Sequence, residues 1–320
     1  MSRLFLGVDT SAYTTSICCV CEEGIVFEKR TMLSVPLGGR GLRQSEALFQ
    51  HVKNLPALTD ELFHSIDAGS VCAAAVSAKP TAAEDSYMPV FLAGKLAASS
   101  ITGALGVPLY ETTHQAGHVR AAMFGNEAHI TENGTFLAMH ISGGTTDLLR
   151  VGLAGGKIET IEKTGGCADL HAGQFVDRVG VKLGLSFPSG PELEKLAVQA
   201  KTRDIRLPSS VKNAECSFSG QETAALRMLE QGAPKEEIAF AVYDCMARTF
   251  SKILLYAMER TGCETALLSG GVSGSGLLRT LLQKRTKKAL LFARTGLSSD
   301  NAAGTALLAK DLYEAGERGR

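Results

Sequence analysis

His114 and His118 lie four residues apart in Tyr110–Met123 (YETTHQAGHVRAAM), a spacing at which two imidazoles can share one metal ion. In a helix, side chains at i and i+4 stack on one face with Cβ atoms roughly 5–6 Å apart. Thr112 or Thr113 can cap such a helix, and Ala116, Val119, Ala121, Ala122 and Met123 suit its body. Two imidazoles do not complete a site, so a third ligand has to come from elsewhere. The plain alternative is two unrelated histidines, and no Glu stands between them as in the HExxH zinc-protease helix. Three turns also carry candidate chemistry. Asp9-Thr10-Ser11 ends the apolar run that starts at Leu4, and Ser142-Gly143-Gly144-Thr145-Thr146-Asp147 follows the run Phe136–Ile141. Hydroxyls and exposed backbone N–H groups at such turns suit a phosphate or a cation, though an ordinary polar hairpin has the same composition. The third turn, Ser269–Gly276 (SGGVSGSG), stands between a strand-like run and a helix, where a nucleotide can approach the backbone closely. It has neither the Rossmann GxGxxG context nor the GK[ST] of a P-loop.

The elements that would position these groups are legible from periodicity. Leu4–Asp9, Ser16–Cys21 and Ile25–Arg30 read as a three-stranded meander, with Cys19 and Cys21 on one strand face. Gly38-Gly39-Arg40-Gly41 reads as a mobile loop. Ser45–His64 reads as an amphipathic helix interrupted at Pro56, with His51 and His64 on its polar margins. Val71–Ser77 and Leu105–Tyr110 read as strands on either side of the small-residue helix Phe91–Gly103. After the polar linker Asn126–Gly134, strand, turn and strand (Phe136–Leu153) repeat the order seen at the N-terminus, which implies two similar lobes. Helical spacing over Gly165–Leu185 brings Asp177 beside Phe175, Val176 and Val179. Pro188-Ser189-Gly190-Pro191 opens the helix Glu192–Lys201, and Ala214–Gly220 reads as a loop. Lys235–Arg260 and Leu277–Lys284 are helices around the strand Ala266–Leu268. Asp300 precedes a last helix, Ala302–Leu312, where an N-cap is the commonest use of Asp.

At 320 residues the chain suits two lobes with substantial cores. No apolar run has the length of a membrane span, and the N-terminal run is too short for a signal peptide. Eight cysteines without a CxxC read as reduced cytosolic thiols, mostly packing, so a cytoplasmic location is expected. The 33 basic and 33 acidic residues balance, so a nucleic acid would need a local patch or a partner. One basic run is available, Arg279, Lys284, Arg285, Lys287, Lys288 and Arg294, with a solvated helix face as the plain alternative.

Taken in order, GVDTSAYTTSI, HQAGH, ISGGTTDLL, GQFVDRVGVKLGLSFPSGP, SFSG, LSGGVSGSGLLR and SSDNAAG resemble one family closely. It is the tRNA N(6)-threonylcarbamoyladenosine synthase family (TsaD in bacteria), historically called O-sialoglycoprotein endopeptidase or peptidase M22. The resemblance runs from Leu4 to about Leu312. It implies an α/β, two-lobed actin/sugar-kinase/heat-shock ATPase-like fold with a duplicated sheet core and a nucleotide cleft between the lobes. The lobes are expected at residues 1–130 plus 302–320 and at 131–301. It implies one divalent metal, Fe or Zn, on His114, His118 and Asp300, and so supplies the third ligand. It further implies an adenine nucleotide or adenylate as substrate. Ser142, Gly143 and Gly144 would face its phosphate, Asp177 its ribose and Gly190 its adenosine pocket, with Gly271 and Ser275 near the base. Asp9, Thr10 and Ser11 would form the catalytic turn. The implied partners are tRNA, reached only with partner proteins, a TsaB-like paralogue and a small ATPase, with no membrane.

The departures are specific. Where the family reads Cys-Asp-Glu-Thr after the first turn, this chain has Ala12-Tyr13-Thr14-Thr15 and loses both carboxylates. Thr145 replaces the His of SGGHTQL, Ser275 replaces the Asn of GGVSAN, and Lys79–Met88 replaces a Gly-Pro-Gly turn. The expected activity is transfer of a threonylcarbamoyl group from its adenylate to the N6 amine of the tRNA adenosine adjacent to the anticodon. The alternative is a divergent paralogue that binds nucleotide and metal as a regulatory or assembly protein. A third reading, a metallopeptidase of the M22 type, rests on the old family name.

Overall fold

The computed structural model describes residues 2–35 and 42–318; the expected loop at Gly38–Gly41 lies outside them. The chain forms two compact units, residues 1–124 with 300–320, and residues 125–299. These divisions differ from the expected 130/131 and 301/302, and they place Asp300 with the N-terminal unit.

The first unit opens with β1 (Leu4–Thr10), β2 (Thr14–Val20) and β3 (Ile25–Met32). It continues with α1 (Gln44–Ser65), β4 (Val71–Lys79), α2 (Phe91–Leu105), β5 (Leu109–Thr113) and α3 (His114–Met123). Its sheet has the order β3-β2-β1-β4-β5, antiparallel through the meander and parallel beyond β1. β1 is buried along its whole length, as a strand covered on both faces must be. Leu4, Leu6 and Val8 pack with Leu55, Leu58 and Leu62 of α1 and Ala93 and Ala98 of α2. Period-two alternation sends Phe5, Gly7 and Asp9 to the other face.

The second unit holds β6 (Gly134–Ile141), β7 (Thr146–Ala154) and β8 (Lys157–Cys167), then α4 (Ala172–Lys182) and α5 (Gly190–Ala197). β9 (Ser210–Lys212), β10 (Glu215–Ser217), α6 (Ser219–Glu230), α7 (Lys235–Thr261), β11 (Thr265–Ser269), α8 (Gly276–Thr286) and β12 (Ala289–Phe292) follow. The sheet order is β12-β11-β6-β7-β8-β10-β9. Its first five strands repeat the order and directions of the first sheet, so the duplication read in the sequence is structural. Leu137, Met139 and Ile141 of β6 pack with Phe175 and Val179 of α4 and with α7, whose Phe250 meets Phe218 edge-on at 5.8 Å. The chain then returns to the first unit as α9 (Ala303–Arg318), which lies against β1 and α3. Arg120 of α3 and Asp311 of α9 form a nearly buried ion pair at 2.6 Å.

Several expectations need correcting. α1 runs through Pro56, which is exposed, as is Val52 one turn earlier, so the missing amide donor falls on the solvent side. α2 extends to Leu105, and β5 therefore starts only at Leu109. The segment read as helix from Gly165 begins as strand β8, and the loop read at Ala214–Gly220 contains β10 and the start of α6.

Candidate functional site

Thr113 caps α3, its Oγ1 accepting the Ala116 N–H at 3.1 Å, so His114 occupies the first helical position and His118 follows one turn later. Their Nε2 atoms are 2.9 Å apart, and Asp300 Oδ1 lies 3.3 Å from that of His118 and 3.7 Å from that of His114. One ligand atom from each of the three lies within 4.8 Å of the others. Asp9 Oδ2 accepts from His114 Nδ1 at 2.8 Å, which fixes the ring and turns its Nε2 toward Asp300 and His118. Burial would raise the Asp9 carboxyl, but the charge and hydrogen bond of His114, with a bond from Ser77, hold it below its ordinary value. Burial works against the charged His114, and Asp9 outweighs it, raising that imidazole to about 9. Ser11 closes the arrangement: its N–H donates to Asp9 Oδ1 at 3.1 Å and its Oγ to Asp300 Oδ2 at 3.2 Å.

The residues present fit a metal. Borderline imidazoles and a hard carboxylate, with a carboxylate orienting one imidazole from behind, suit Fe or Zn better than Cu(I) or Ca. Metal analysis of purified wild type, His114→Ala, His118→Ala and Asp300→Ala should show metal in the first and little in the other three. Equal content in all four would sink the site.

The Asp9-Thr10-Ser11 turn divides by face. Asp9 and Ser11 back His114 and Asp300, whereas Thr10 Oγ1 donates to Val90 O at 2.9 Å and accepts the Gly94 N–H at 3.1 Å. Thr10 is fully buried and braces α2 against β1, so the structure does not bring it to the ligand cluster. The next residues are held from α1. Fully buried His51 contacts Thr15 Oγ1 through Nδ1 and Ser11 O through Nε2, both at 2.8 Å, and Asn54 Nδ2 donates to Thr15 Oγ1 at 3.1 Å. His51 was expected on a polar margin. Its spacing to Leu55, Leu58 and Leu62 follows the apolar stripe of α1, and that signal could have placed it inward.

In the second unit, Ser142 N–H donates to Thr145 O at 2.8 Å and Ser142 O accepts the Gly173 N–H at 3.2 Å. A Cβ at Gly173 would collide with Ser142 and Gly143, whereas Cβ atoms at Gly143 and Gly144 would meet nothing. The turn is thus pressed against the start of α4 with its outer side open. Asp177 is half-buried, its Oδ1 accepts the Ser189 N–H at 2.7 Å, and burial raises its carboxyl despite that bond. Gly190 O accepts from Tyr243 Oη at 2.9 Å. Gly271 has open space around it. Ser275 is committed as the N-cap of α8, accepting the Leu278 N–H at 3.1 Å, while Glu194 Oε1 takes the Leu277 N–H at 2.7 Å. Glu194 and Tyr243 carried no sequence signal beyond helical spacing. Two residues of the basic run are spent on structure. Arg279 donates to Ser273 O and Ala293 O over the Phe292 ring, and Arg285 pairs with Asp244, which leaves Lys284, Lys287 and Lys288 exposed.

The family model for tRNA N6-adenosine threonylcarbamoyltransferase matches residues 33–307. The chain belongs to this family. A threonylcarbamoyltransferase of Thermus thermophilus is 32% identical over 327 residues, covering 97% of this chain and 93% of that protein. A probable bifunctional tRNA threonylcarbamoyladenosine biosynthesis protein of Methanothermobacter thermautotrophicus is 29% identical over 283 residues, covering 88% of this chain. This chain spans 50% of that bifunctional protein's length. Among solved structures, HypF of T. kodakarensis superposes with a TM-score of 0.65 at 13% identity over 99% of this chain and 48% of that one. A ROK family glucokinase of Streptomyces griseus gives 0.54 at 14% identity over 96% and 99%. Those likenesses show the fold, the actin/sugar-kinase/heat-shock ATPase-like α/β architecture. No helix among the described residues is long and apolar enough to cross a membrane.

Proposed function

We propose that this threonylcarbamoyltransferase-family chain moves a threonylcarbamoyl group from threonylcarbamoyl-AMP to the N6 amine of the tRNA adenosine beside the anticodon. In that reaction the amine nitrogen bonds to the carbamoyl carbon, the bond from that carbon to the phosphate oxygen breaks, AMP leaves, and the nitrogen loses a proton. The observation that carries the reading is the convergence of His114, His118 and Asp300 on one point, with Asp9 and Ser11 behind them, in a member of this family. A metal held there would act as a Lewis acid and neutralise developing negative charge. Asp9 would keep His114 oriented, and Ser11 would keep Asp300 turned toward the imidazoles. Ser142–Gly144 would offer backbone N–H groups to a phosphate, and the second oxygen of Asp177 would face a ribose hydroxyl. The partners that fit this reading are tRNA, a TsaB-like paralogue and a small ATPase, in the cytoplasm.

The test is transfer from synthetic threonylcarbamoyl-AMP to tRNA by the metal-loaded chain, alone and with those partners. Modified tRNA in the complete mixture is expected. Its absence under all conditions would favour the second reading, a paralogue that keeps nucleotide and metal without this transfer, which the lost carboxylates at Tyr13 and Thr14 motivate. The nucleotide pocket has its own check. Asp177→Asn keeps an acceptor for Ser189 but removes the charge, and should weaken adenine-nucleotide binding roughly tenfold or more, as loss of a charged hydrogen bond does. Calorimetry showing unchanged affinity would reject Asp177 as a nucleotide ligand.

A further inference from the structure

Cys167 ends β8 and Cys216 lies in β10, and the two residues stand abreast in a parallel ladder. Neighbouring strands run about 4.8 Å apart, inside the roughly 4.4–6.8 Å Cα separation at which a cystine closes. Residues abreast in a ladder also project to the same face. Both cysteines are free thiols here. They are unequal. Cys167 is half-buried, and the neighbouring Cys216 thiol, with the Asp169 backbone amide, lowers its thiol against the cost of burial. Cys216 is 3% exposed, and the neighbouring Cys167 together with burial pushes its thiol up. A half-exposed sulfur beside a buried second sulfur is the arrangement of an attacking and a resolving thiol.

We propose that Cys167 and Cys216 are a peroxide-reactive dithiol that closes reversibly to a cystine. The Cys167 thiolate attacks one oxygen of a hydroperoxide. The O–O bond breaks, leaving Cys167 as a sulfenic acid and releasing an alkoxide or hydroxide, which takes up a proton. The Cys216 sulfur, losing its proton, then displaces the sulfenic hydroxyl, which leaves as water. The peroxide has taken two electrons and the protein holds one S–S bond. A thiol reductant reverses the change.

The bond would form in the strut beneath the Ser142 turn. Cys167 Sγ donates to Leu170 O at 2.8 Å, and closing the cystine draws it from that carbonyl. The same short stretch supplies the Ala168 N–H to Cys216 O at 2.9 Å, the Ala172 N–H to Thr146 Oγ1 at 3.0 Å and the Gly173 N–H to Ser142 O at 3.2 Å. The Asp169 carboxylate ties this stretch to Ser217, Phe218 and Ser219. Oxidation therefore weakens phosphate binding at Ser142–Gly144. This consequence rests on the nucleotide reading above, whereas the thiol chemistry does not.

The experiment treats the full-length reduced protein with a small excess of hydrogen peroxide, then blocks remaining thiols and maps peptides without reduction. A linked Cys167–Cys216 peptide that disappears on adding dithiothreitol is expected as the main product. Cys167→Ser and Cys216→Ser should each leave the remaining partner unlinked, and the wild-type map stands even if a variant folds poorly. Arrest at a Cys167 sulfenic or sulfinic acid with Cys216 free, or preferential linkage of any other pair, would overturn the proposal. In the mapped cystine form, adenine-nucleotide affinity should fall roughly tenfold, a usual size for coupling between neighbouring sites. Unchanged affinity would overturn the coupling. A cystine with no nucleotide binding in either redox form would reject the nucleotide reading and leave the dithiol established.

Discussion

Tyr13→Asp should raise the rate of threonylcarbamoyl transfer by about 10²–10⁴-fold, the usual worth of one positioned acid or base. Tyr13 and Thr14 carry no carboxylate, so the altered turn lacks both acids that the family has there. The unmodified chain is accordingly expected to be a slow transferase even with metal and nucleotide in place. The structure separates the two lost acids. Tyr13 is 43% exposed, so an aspartate there stays hydrated and can be accepted without rearrangement. Thr14 opens β2 and is only 6% exposed, so a glutamate there would bury a charge and should cost stability before it contributes to rate. Single-turnover transfer to tRNA, run on wild type, Tyr13→Asp and Thr14→Glu beside their melting curves, separates these effects. Fast transfer by the unmodified chain would show that the turn carboxylates are dispensable.

Gly304→Ala should destabilise the first unit by about 1–3 kcal/mol or more, as overpacking of a tight backbone contact does, and should strip metal from it. A Cβ at Gly304 would land on the Gly117 carbonyl and against the Ala121 N–H, so α3 and α9 must move apart to accept it. Gly117 precedes His118, and Gly304 stands four residues beyond Asp300 at the start of α9, so that movement draws the carboxylate away from both imidazoles. Gly316 lies further along α9, and a Cβ there meets nothing. Gly316→Ala should therefore be neutral, or stabilising by roughly 0.5–1 kcal/mol through helix propensity. Thermal unfolding and metal analysis of both variants provide the check. If Gly304→Ala matched wild type in both, the backbone contact would not be holding the ligands together.

Much of this arrangement is local and therefore legible in the chain. The His114–His118 pair needs only helix geometry and a Thr cap to share a face, and the near-continuous apolar runs of β1 and β2, bounded by turn residues, read as buried strands. The repeated strand–turn–strand pattern was visible because each copy carries its own apolar runs and small polar turn. β8 was missed because Lys157–Cys167 is rich in Glu, Lys and Thr, and what makes it a strand is its antiparallel ladder with β7 rather than an apolar pattern of its own. The continuation of α1 through Pro56 likewise depends on which side of the helix faces solvent, and composition does not record that. The division of labour within Asp9-Thr10-Ser11 follows from sheet alternation, but which face meets α3 and which meets α2 is set by packing. Asp300 looks like a helix cap in sequence, and the local pattern gives it no reason to be a ligand. It joins the candidate set because α9 returns to lie on α3, where two glycines let the backbones touch and bring a carboxylate from the far end of the chain to the two imidazoles. A ligand set is a three-body distance condition, and helix periodicity can satisfy two of its members while only tertiary packing supplies the third.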